Sequence, residues 1–212
     1  MGISISYGIT VCDENEELTQ LLDSLHSLIE EEDEIIVLRD LGKTTPSVAR
    51  TLNHFKTLYN GQLKLVESYL NNDFASFKNQ LLNEATGDYL FQIDADETLN
   101  PFLIENIKPV LHINKNVDCY YIPRVNKVMG LTQEHIAKWG WRVDEEQRVN
   151  FPDPQMRLFK LNQGIKWKNK VHEVLDGYKT ITTLPYDTED FCLYHYKSIE
   201  RQEKQNKFYE TI

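Results

Sequence analysis

Two carboxylates spaced two residues apart, Asp94 and Asp96, are the residues of this sequence best suited to chemistry. They follow the apolar run of residues 89–93, which is typical of a buried strand. Carboxylates at the end of such a strand can hold Mg²⁺ or Mn²⁺, and the cation can in turn bind a diphosphate. The alternative is a solvated acidic turn before the helix that begins at Pro101, because acidic residues are favoured near helix amino ends.

Polar residues elsewhere in the chain can complete such a site. His172 and His195 supply imidazoles, which are sound ligands for Mn²⁺, and Glu173 supplies a carboxylate that can act as the base for an acceptor hydroxyl. Lys78 and Arg157 can add positive charge near a diphosphate. The alternatives are histidines that are satisfied within strands and cations that are solvated at the surface.

The elements that must position these residues alternate between strands and helices in the first half. Short β-branched runs predict strands, and apolar residues at helical spacing predict helices. The predicted strands are residues 3–11, 35–38, 63–66 and 89–93, and the predicted helices are residues 16–29, a segment from about Pro46, and about 73–85. This order predicts an α/β fold with a parallel sheet, helices on both faces and active residues at the carboxyl ends of the strands.

The second half is less regular. We predict a helix at 101–111, strands at 117–122 and 155–160, short strands around Ile165, Val171, Ile181 and Cys192, and a polar helix that begins at Ser198. The roughly thirty residues before position 155 predict a lid or substrate loop, because long connections in compact domains are usually functional. Without a linker or an internal repeat, residues 1–212 are expected to form one domain.

Charge and composition exclude several classes of protein. A net charge of -10 argues against a general polyanion binder that relies on counterion release. The apolar runs are far shorter than the ~20 residues that span a bilayer, and no signal peptide is evident. Cys12, Cys119 and Cys192 form an odd set without a close pair, which predicts buried free thiols and a cytoplasmic protein.

Four segments of the chain carry a resemblance to a known family. They are ISISYGITVCDENEEL, EIIVLRDLGKT, NDFASFKNQLLNEATGDYLFQIDADETLNP and MRLFKLNQGIKWKNKVHEVL. In this order they resemble the family-2, GT-A type nucleotide-sugar glycosyltransferases over essentially the whole length. The third segment is the closest match, with the Asp-x-Asp series at Asp94 and with Lys78 where the family has Arg. Elsewhere Asp13 stands where Asn is usual, and Arg39 replaces an Asp.

The resemblance implies a fold and a reaction. The implied fold is GT-A, a Rossmann-like, mostly parallel sheet flanked by helices, with an irregular carboxyl-terminal half. Residues 1–100 are expected to bind the nucleotide sugar, and residues 101–212 the acceptor. The implied reaction is an inverting transfer of a hexosyl or pentosyl group from a nucleoside-diphosphate sugar, with uridine diphosphate as the expected carrier. The acceptor stays open among a glycan, a protein, a lipid-linked saccharide and a modified nucleobase.

The resemblance also implies roles for individual residues. The implied donor-binding residues are Asp13, Glu14, Asp40, Lys78, Asp94 and Arg157. The implied ligands of Mn²⁺ or Mg²⁺ are Asp94, Asp96, His195 and His172. Glu173 is the expected base, ahead of Asp144, Glu145 and Glu146.

Two other functions stay open at the level of sequence. Residues 93–99 also fit the Asp-x-Asp-x-Thr-Leu pattern of haloacid-dehalogenase-like phosphatases, in which Asp94 would be a nucleophile and Asp96 a general acid or base. That pattern belongs on the first strand of its own fold, whereas three strand–helix units precede it here. The other alternative is a catalytically degenerate GT-A binding module, because Arg39 alters a donor-side turn and the usual Glu-Asp pair is not evident.

Overall fold

A computed structural model describes residues 2–209, which form twelve strands and six helices. The strands are β1 (Ile5–Val11), β2 (Glu34–Asp40), β3 (Leu63–Ser68), β4 (Tyr89–Asp94), β5 (Glu97–Leu99), β6 (Cys119–Ile122), β7 (Arg124–Met129), β8 (Gln155–Lys160), β9 (Lys166–Lys168), β10 (Val174–Asp176), β11 (Ile181–Thr183) and β12 (Leu193–Ser198). The helices are α1 (Asn15–His26), α2 (Pro46–Leu58), α3 (Phe74–Glu84), α4 (Pro101–Ile113), α5 (Gln133–Trp139) and α6 (Ile199–Tyr209).

A central sheet of seven strands organises the chain in the order β11-β6-β8-β4-β1-β2-β3. The pairs β1–β2, β1–β4, β2–β3 and β6–β11 are parallel, whereas β8 runs antiparallel to both β4 and β6. The prediction of an α/β fold with a mostly parallel sheet is therefore confirmed. The carboxyl ends of β1, β2 and β4 share one edge, and Asp94 ends β4 at that edge.

Hydrophobic cores lie on both faces of this sheet. Strand residues alternate between the faces, so Ile35 and Val37 of β2 join the core under α1, α2 and α4, while Ile36 and Leu38 join the core under α3. A strand that is buried on both faces reads as a continuous apolar run, which is why the first half could be predicted from sequence. The amino end of α3 is capped by Asp73, whose Oδ1 accepts a hydrogen bond from the amide of Ser76.

A small sheet in the order β5-β12-β7 lies beside the end of β4. Its register places His195 opposite Glu97 on one side and opposite Asn126 on the other. Residues that are far apart in sequence therefore meet just past the Asp94 end of the main sheet.

The structure differs from the sequence prediction in three places. The connection before β8 is not a structureless loop, because it contains β7 and α5. The predicted strand at Val171 is wrong: this segment is irregular, Asn169 and His172 have positive φ angles, and the strand begins at Val174. Strand β5 was not predicted, since three residues carry almost no periodic signal.

The three cysteines are free, as predicted, although Cys12 is only half-buried while Cys119 and Cys192 are buried. Among the helices of residues 2–209, none has the length and apolar character needed to cross a bilayer.

Gly8 allows α3 to pack closely against β1. A Cβ built at Gly8 would overlap Leu81 Cδ2 on α3 and would lie 2.9 Å from Leu90 Cδ1. Because α3 also carries Lys78, this close approach sets the position of a charged residue of the site described below.

We expect Gly8→Ala to lower the free energy of unfolding by about 1–3 kcal/mol, because the added methyl group overpacks a filled core. Urea unfolding followed by circular dichroism measures this change. Gly2→Ala is the control, since a methyl group there meets only the end of the Glu32 side chain. Equal urea midpoints for Gly8→Ala and Gly2→Ala would show that the contact between β1 and α3 is not tight.

Candidate active site at the end of strand β4

The carboxylate of Asp94 is held by three side chains. Arg157 Nη2 donates a hydrogen bond of 2.6 Å to Asp94 Oδ2, and Thr10 Oγ1 donates one of 3.0 Å to Oδ1. Lys78 Nζ lies 3.5 Å from Asp94 Oδ1. Burial alone would raise the pKa of Asp94, but the charges of Arg157 and Lys78 outweigh it and hold this pKa far below its usual range. Asp94 is therefore a carboxylate whose charge is already balanced.

Glu97 is a fully buried carboxylate directly behind this pair. Its Oε1 accepts hydrogen bonds from Arg157 Nη2 at 2.6 Å and from Arg124 Nη1 at 3.0 Å, and its Oε2 accepts one from the Asp94 amide at 3.1 Å. Only 1% of Glu97 is exposed. Since a buried charge must be compensated, Glu97 fixes both arginines at the edge of the site.

Asp96 forms a different set of contacts. Its Oδ2 lies 3.1 Å from Nε2 of His195, and His195 Nδ1 lies 3.0 Å from Asn126 Oδ1. Arg201 of α6 approaches Asp96 Oδ2 at 3.5 Å and also pairs with Glu14. Burial would raise the pKa of Asp96, but the hydrogen bond and charge of His195 outweigh it and lower this pKa.

Lys78 and Glu173 form the third charged group. Lys78 Nζ donates a hydrogen bond of 2.6 Å to Glu173 Oε1, and it also lies 5.0 Å from the ring centre of Trp167. The ammonium group thus connects Glu173 with Asp94, although 95 positions separate Lys78 and Glu173 in the sequence.

Two adjoining cavities open onto these groups. The larger has a volume of about 520 Å³ and lies toward β7, β8 and β12, whereas the smaller has about 250 Å³ and lies toward the ends of β1 and β2. The side chains common to both linings are Lys78, Asp94, Asp96, Glu173 and Gln205. A group that passed from one cavity to the other would therefore pass four charged side chains and one amide.

Four of the six predicted donor-binding residues line the smaller cavity: Glu14, Asp40, Lys78 and Asp94. Asp40 is buried, and its Oδ1 accepts hydrogen bonds from the amides of Gly42 and Leu70 at 2.9 and 3.1 Å, so it also holds two loops together. Glu14 lines the same cavity, and burial raises its pKa. Asp13 is exposed, and it is not among the residues that line this cavity.

The metal ligands implied by the sequence are only partly brought together. Asp96 and His195 are adjacent, but Asp94 is held by Arg157, and His172 lies on an exposed segment at the larger cavity. Within residues 2–209, no group of three or more His, Cys, Asp or Glu side chains is arranged to hold a metal ion. One carboxylate oxygen and one imidazole nitrogen nevertheless suit a cation that takes its remaining ligands from water and substrate phosphates.

The other carboxylates considered as a base are placed less favourably than Glu173. Asp144 and Glu146 both pair with Arg148, and none of Asp144, Glu145 and Glu146 lines the larger or the smaller cavity.

Sequence reasoning missed four residues of the site: Glu97, Arg124, Asn126 and Asp153. Glu97 was visible in the acidic group after β4, but its partner Arg124 lies 27 residues away. The signal in the sequence was an acidic residue directly after an apolar strand, because such a residue needs a positively charged partner if it is buried. The sequence did not indicate which Lys or Arg supplies that charge.

Comparisons with known proteins indicate one family and one fold. The model described as Glycosyl transferase family 2 matches residues 6–201. No curated protein matches the sequence. Solved structures share the fold at low identity. TarS from S. aureus matches 93% of this chain and 37% of its own, with 15% identity and a TM-score of 0.60.

Two further solved structures were determined with nucleotide sugars. The mannosyltransferase PcManGT from Pyrobaculum calidifontis, in complex with GDP-Man and Mn²⁺, matches 92% of this chain and 57% of its own, with 14% identity and a TM-score of 0.60. S. aureus TarS in complex with UDP-GlcNAc matches 92% of this chain and 59% of its own, with 16% identity and a TM-score of 0.58. The chain thus spans less than two thirds of the length of each of these structures.

We expect Arg157→Met to lower the free energy of unfolding by about 3–5 kcal/mol, because it removes one partner from a buried ionic group. Urea unfolding at neutral pH measures the effect. Arg142→Met is the matched control, since Arg142 is exposed and bonds to Asn150 Oδ1 through its backbone amide, which the substitution retains. A similar loss in both variants would show that Glu97 does not depend on Arg157.

Proposed function

Because this chain belongs to glycosyl transferase family 2, we propose that it transfers a sugar from a nucleoside-diphosphate sugar to an acceptor hydroxyl, with a divalent cation and with inversion at the anomeric carbon. The observation that carries the proposal is the common wall of the two cavities, where Asp96, Lys78 and Glu173 meet. A transfer reaction needs such a junction between a donor pocket and an acceptor pocket.

The smaller cavity is the proposed donor pocket. It lies at the carboxyl ends of β1 and β2, where nucleotides bind in open α/β sheets, and it contains Asp40 and Glu14 as acceptors for base or ribose hydrogen bonds. The nucleotide sugars in the complexes with TarS and PcManGT, UDP-GlcNAc and GDP-Man, define the first ligands to test. The sugar itself is not specified by these contacts.

Asp96 Oδ2 and His195 Nε2 are the proposed protein ligands of Mn²⁺ or Mg²⁺. The bound cation would stabilise the negative charge that develops on the departing nucleoside diphosphate. Mn²⁺ in the complex of PcManGT with GDP-Man supports this choice of ion. Arg157 and Lys78 balance the charge of Asp94, so they lower the repulsion between Asp94 and an incoming phosphate.

Glu173 is the proposed base. It lines both cavities, and Lys78 holds its Oε1 at the junction. A direct displacement needs one carboxylate that accepts the proton of the acceptor hydroxyl opposite the leaving group. The larger cavity would hold the acceptor, and its lining residue Asp153 is already engaged by Arg124 and Asn126.

The family match and the position of the acidic motif set aside the phosphatase alternative. Asp94 ends the fourth strand along the chain, whereas the phosphatase pattern requires the first. A degenerate binding module is separated from a transferase by the slow hydrolysis of UDP-GlcNAc or GDP-Man with Mn²⁺, which only an active enzyme should show.

We expect Mn²⁺ to raise the affinity for uridine or guanosine diphosphate by about 5- to 150-fold. The phosphate oxygens would supply ligands to the cation, and the cation would offset the negative charge of the diphosphate. Asp96→Asn should abolish this gain, and titration calorimetry with Mn²⁺ or with EDTA measures it. Asp187→Asn, an exposed change of the same kind, is the control. Full-affinity binding of both diphosphates in EDTA would contradict metal dependence.

We expect Glu173→Gln to lower sugar transfer or donor hydrolysis by roughly 10²- to 10⁴-fold, because the amide cannot accept the proton. Diphosphate affinity should change little, since Lys78 keeps its hydrogen bond to an oxygen at this position. Glu146→Gln, which lies outside both cavities, is the matched control. Near-normal turnover in Glu173→Gln would assign the base elsewhere.

A further inference from the structure

We propose that Lys197 binds an anionic group of the acceptor, a phosphate or a carboxylate, in the larger cavity. The inference rests on the proposed function, in which this cavity holds the acceptor. It begins from the positive charges of the cavity wall, because a cation that is shielded from water needs a negative partner. Lys197 is partly buried and has no such partner within residues 2–209.

The other cations of the larger cavity are compensated by the chain itself. Each of the other Lys and Arg side chains that line it contacts two carboxylates, and these side chains are Lys78, Arg124 and Arg157. Lys197 lines the same cavity but forms no ion pair in the part of the chain that the structure describes. Its Nζ donates a hydrogen bond of 3.0 Å to Oε1 of Gln205, which is a neutral amide.

The charged neighbours of Lys197 do not supply the missing partner. The side chains that exert the largest electrostatic effects on it are all paired with other residues, and they are Asp96, Asp153, Arg124 and Arg201. Two of these four neighbours are themselves cations. A negative group that enters the cavity would therefore meet an ammonium group that no carboxylate of the described chain neutralises.

The position of Lys197 on β12 places this charge on the acceptor side. Side chains alternate along a strand, so Lys197 and His195 face the same side of β12, about 6–7 Å apart along the strand. Lys197 is in register with Val128 of β7, which also lines the larger cavity. Neither Lys197 nor Val128 lines the smaller cavity, where the nucleotide is proposed to bind.

An acceptor with a negative group would be held at two points of the larger cavity. Its anionic group would bind Lys197, and its hydroxyl would face Glu173, the proposed base. A neutral acceptor would leave the ammonium group unpaired, and pockets built around a polar contact discriminate against ligands that lack it. Lys197 would thus select acceptors by charge.

Urea unfolding tests whether the charge of Lys197 is uncompensated, whatever reaction the protein performs. Lys197→Met leaves no carboxylate without its cation, so its urea midpoint should stay unchanged or rise. Lys78→Met is the contrasting variant, and its midpoint should fall because Glu173 loses its cation. A similar fall in both variants would show that Lys197 is already paired, and it would overturn the inference.

Calorimetric titration with three sugars tests the class of ligand. Glucose 6-phosphate, glucuronate and glucose carry a phosphate, a carboxylate and no charge, and sugar rings suit a cavity that is lined by the aromatic face of Trp141. The protein is first saturated with Mn²⁺ and with uridine or guanosine diphosphate, whichever binds more tightly, so that the donor pocket is filled. We expect at least one charged sugar to bind more tightly than glucose, and the tighter of the two identifies the anionic group.

In Lys197→Met the affinity for that charged sugar should fall by about 10- to 150-fold, as expected for the loss of a hydrogen bond between charged groups. Lys197→Arg should retain most of the affinity, because it retains the charge. Lys204→Met is the matched control, since Lys204 is exposed on α6 and lines neither cavity. It should bind all three sugars as the parent protein does.

Two results of the titration would overturn the inference. One is charged-sugar binding in the parent protein that is no tighter than glucose binding or that Lys197→Met leaves unchanged. The other is a loss of diphosphate affinity in Lys197→Met as large as that in Asp96→Asn, which would assign Lys197 to the donor. If the parent protein bound neither diphosphate, the proposed function would fail, while titration of the charged sugars without nucleotide would still decide whether Lys197 binds an anion.

Discussion

The buried charge of Glu97 is the constraint on which the rest of the site depends. A carboxylate excluded from water must be neutralised, and here Arg124 and Arg157 do so from two different strands, β7 and β8. Each arginine also reaches a second acidic residue, Asp153 or Asp94. The buried carboxylate of Glu97 therefore fixes the positions of both arginines. Through them it also fixes Asp94 and Asp153, which line the cavities.

Two kinds of acidic residue result from this arrangement, although Asp94 and Asp96 are only two positions apart. Asp94 turns toward Arg157 and Lys78, whereas Asp96 turns toward His195. The first is balanced by protein cations before any ligand arrives. The second faces the imidazole of His195, which the proposed function assigns to the cation together with Asp96. The two carboxylates of the Asp-x-Asp pattern thus have different partners, which the tripeptide itself does not reveal.

The sequence predicted the parts of this structure that rest on local patterns. Apolar runs and helical spacing indicated β1 to β4 and their helices, and the end of β4 located Asp94 and Asp96. The short strands could not be predicted as well. Strand β5 has three residues and is stabilised by pairing with the distant strand β12, and β10 has three residues and follows an irregular segment with positive φ angles. Likewise, Asn126 and His195 are 69 positions apart, so their contact depends on the β7–β12 register.

Helix α6 covers part of both cavities. Gln205 lines both cavities and Phe208 lines the smaller one, yet both lie beyond residue 201, where the family match ends. The charged side chains that balance one another, Asp94, Glu97 and Arg157, all belong to the matched part of the chain. We therefore expect a substitution of Gln205 or Phe208 to change the shape of the cavities without removing Asp94, Lys78 or Glu173, so that ligand selectivity could vary independently of the charged residues.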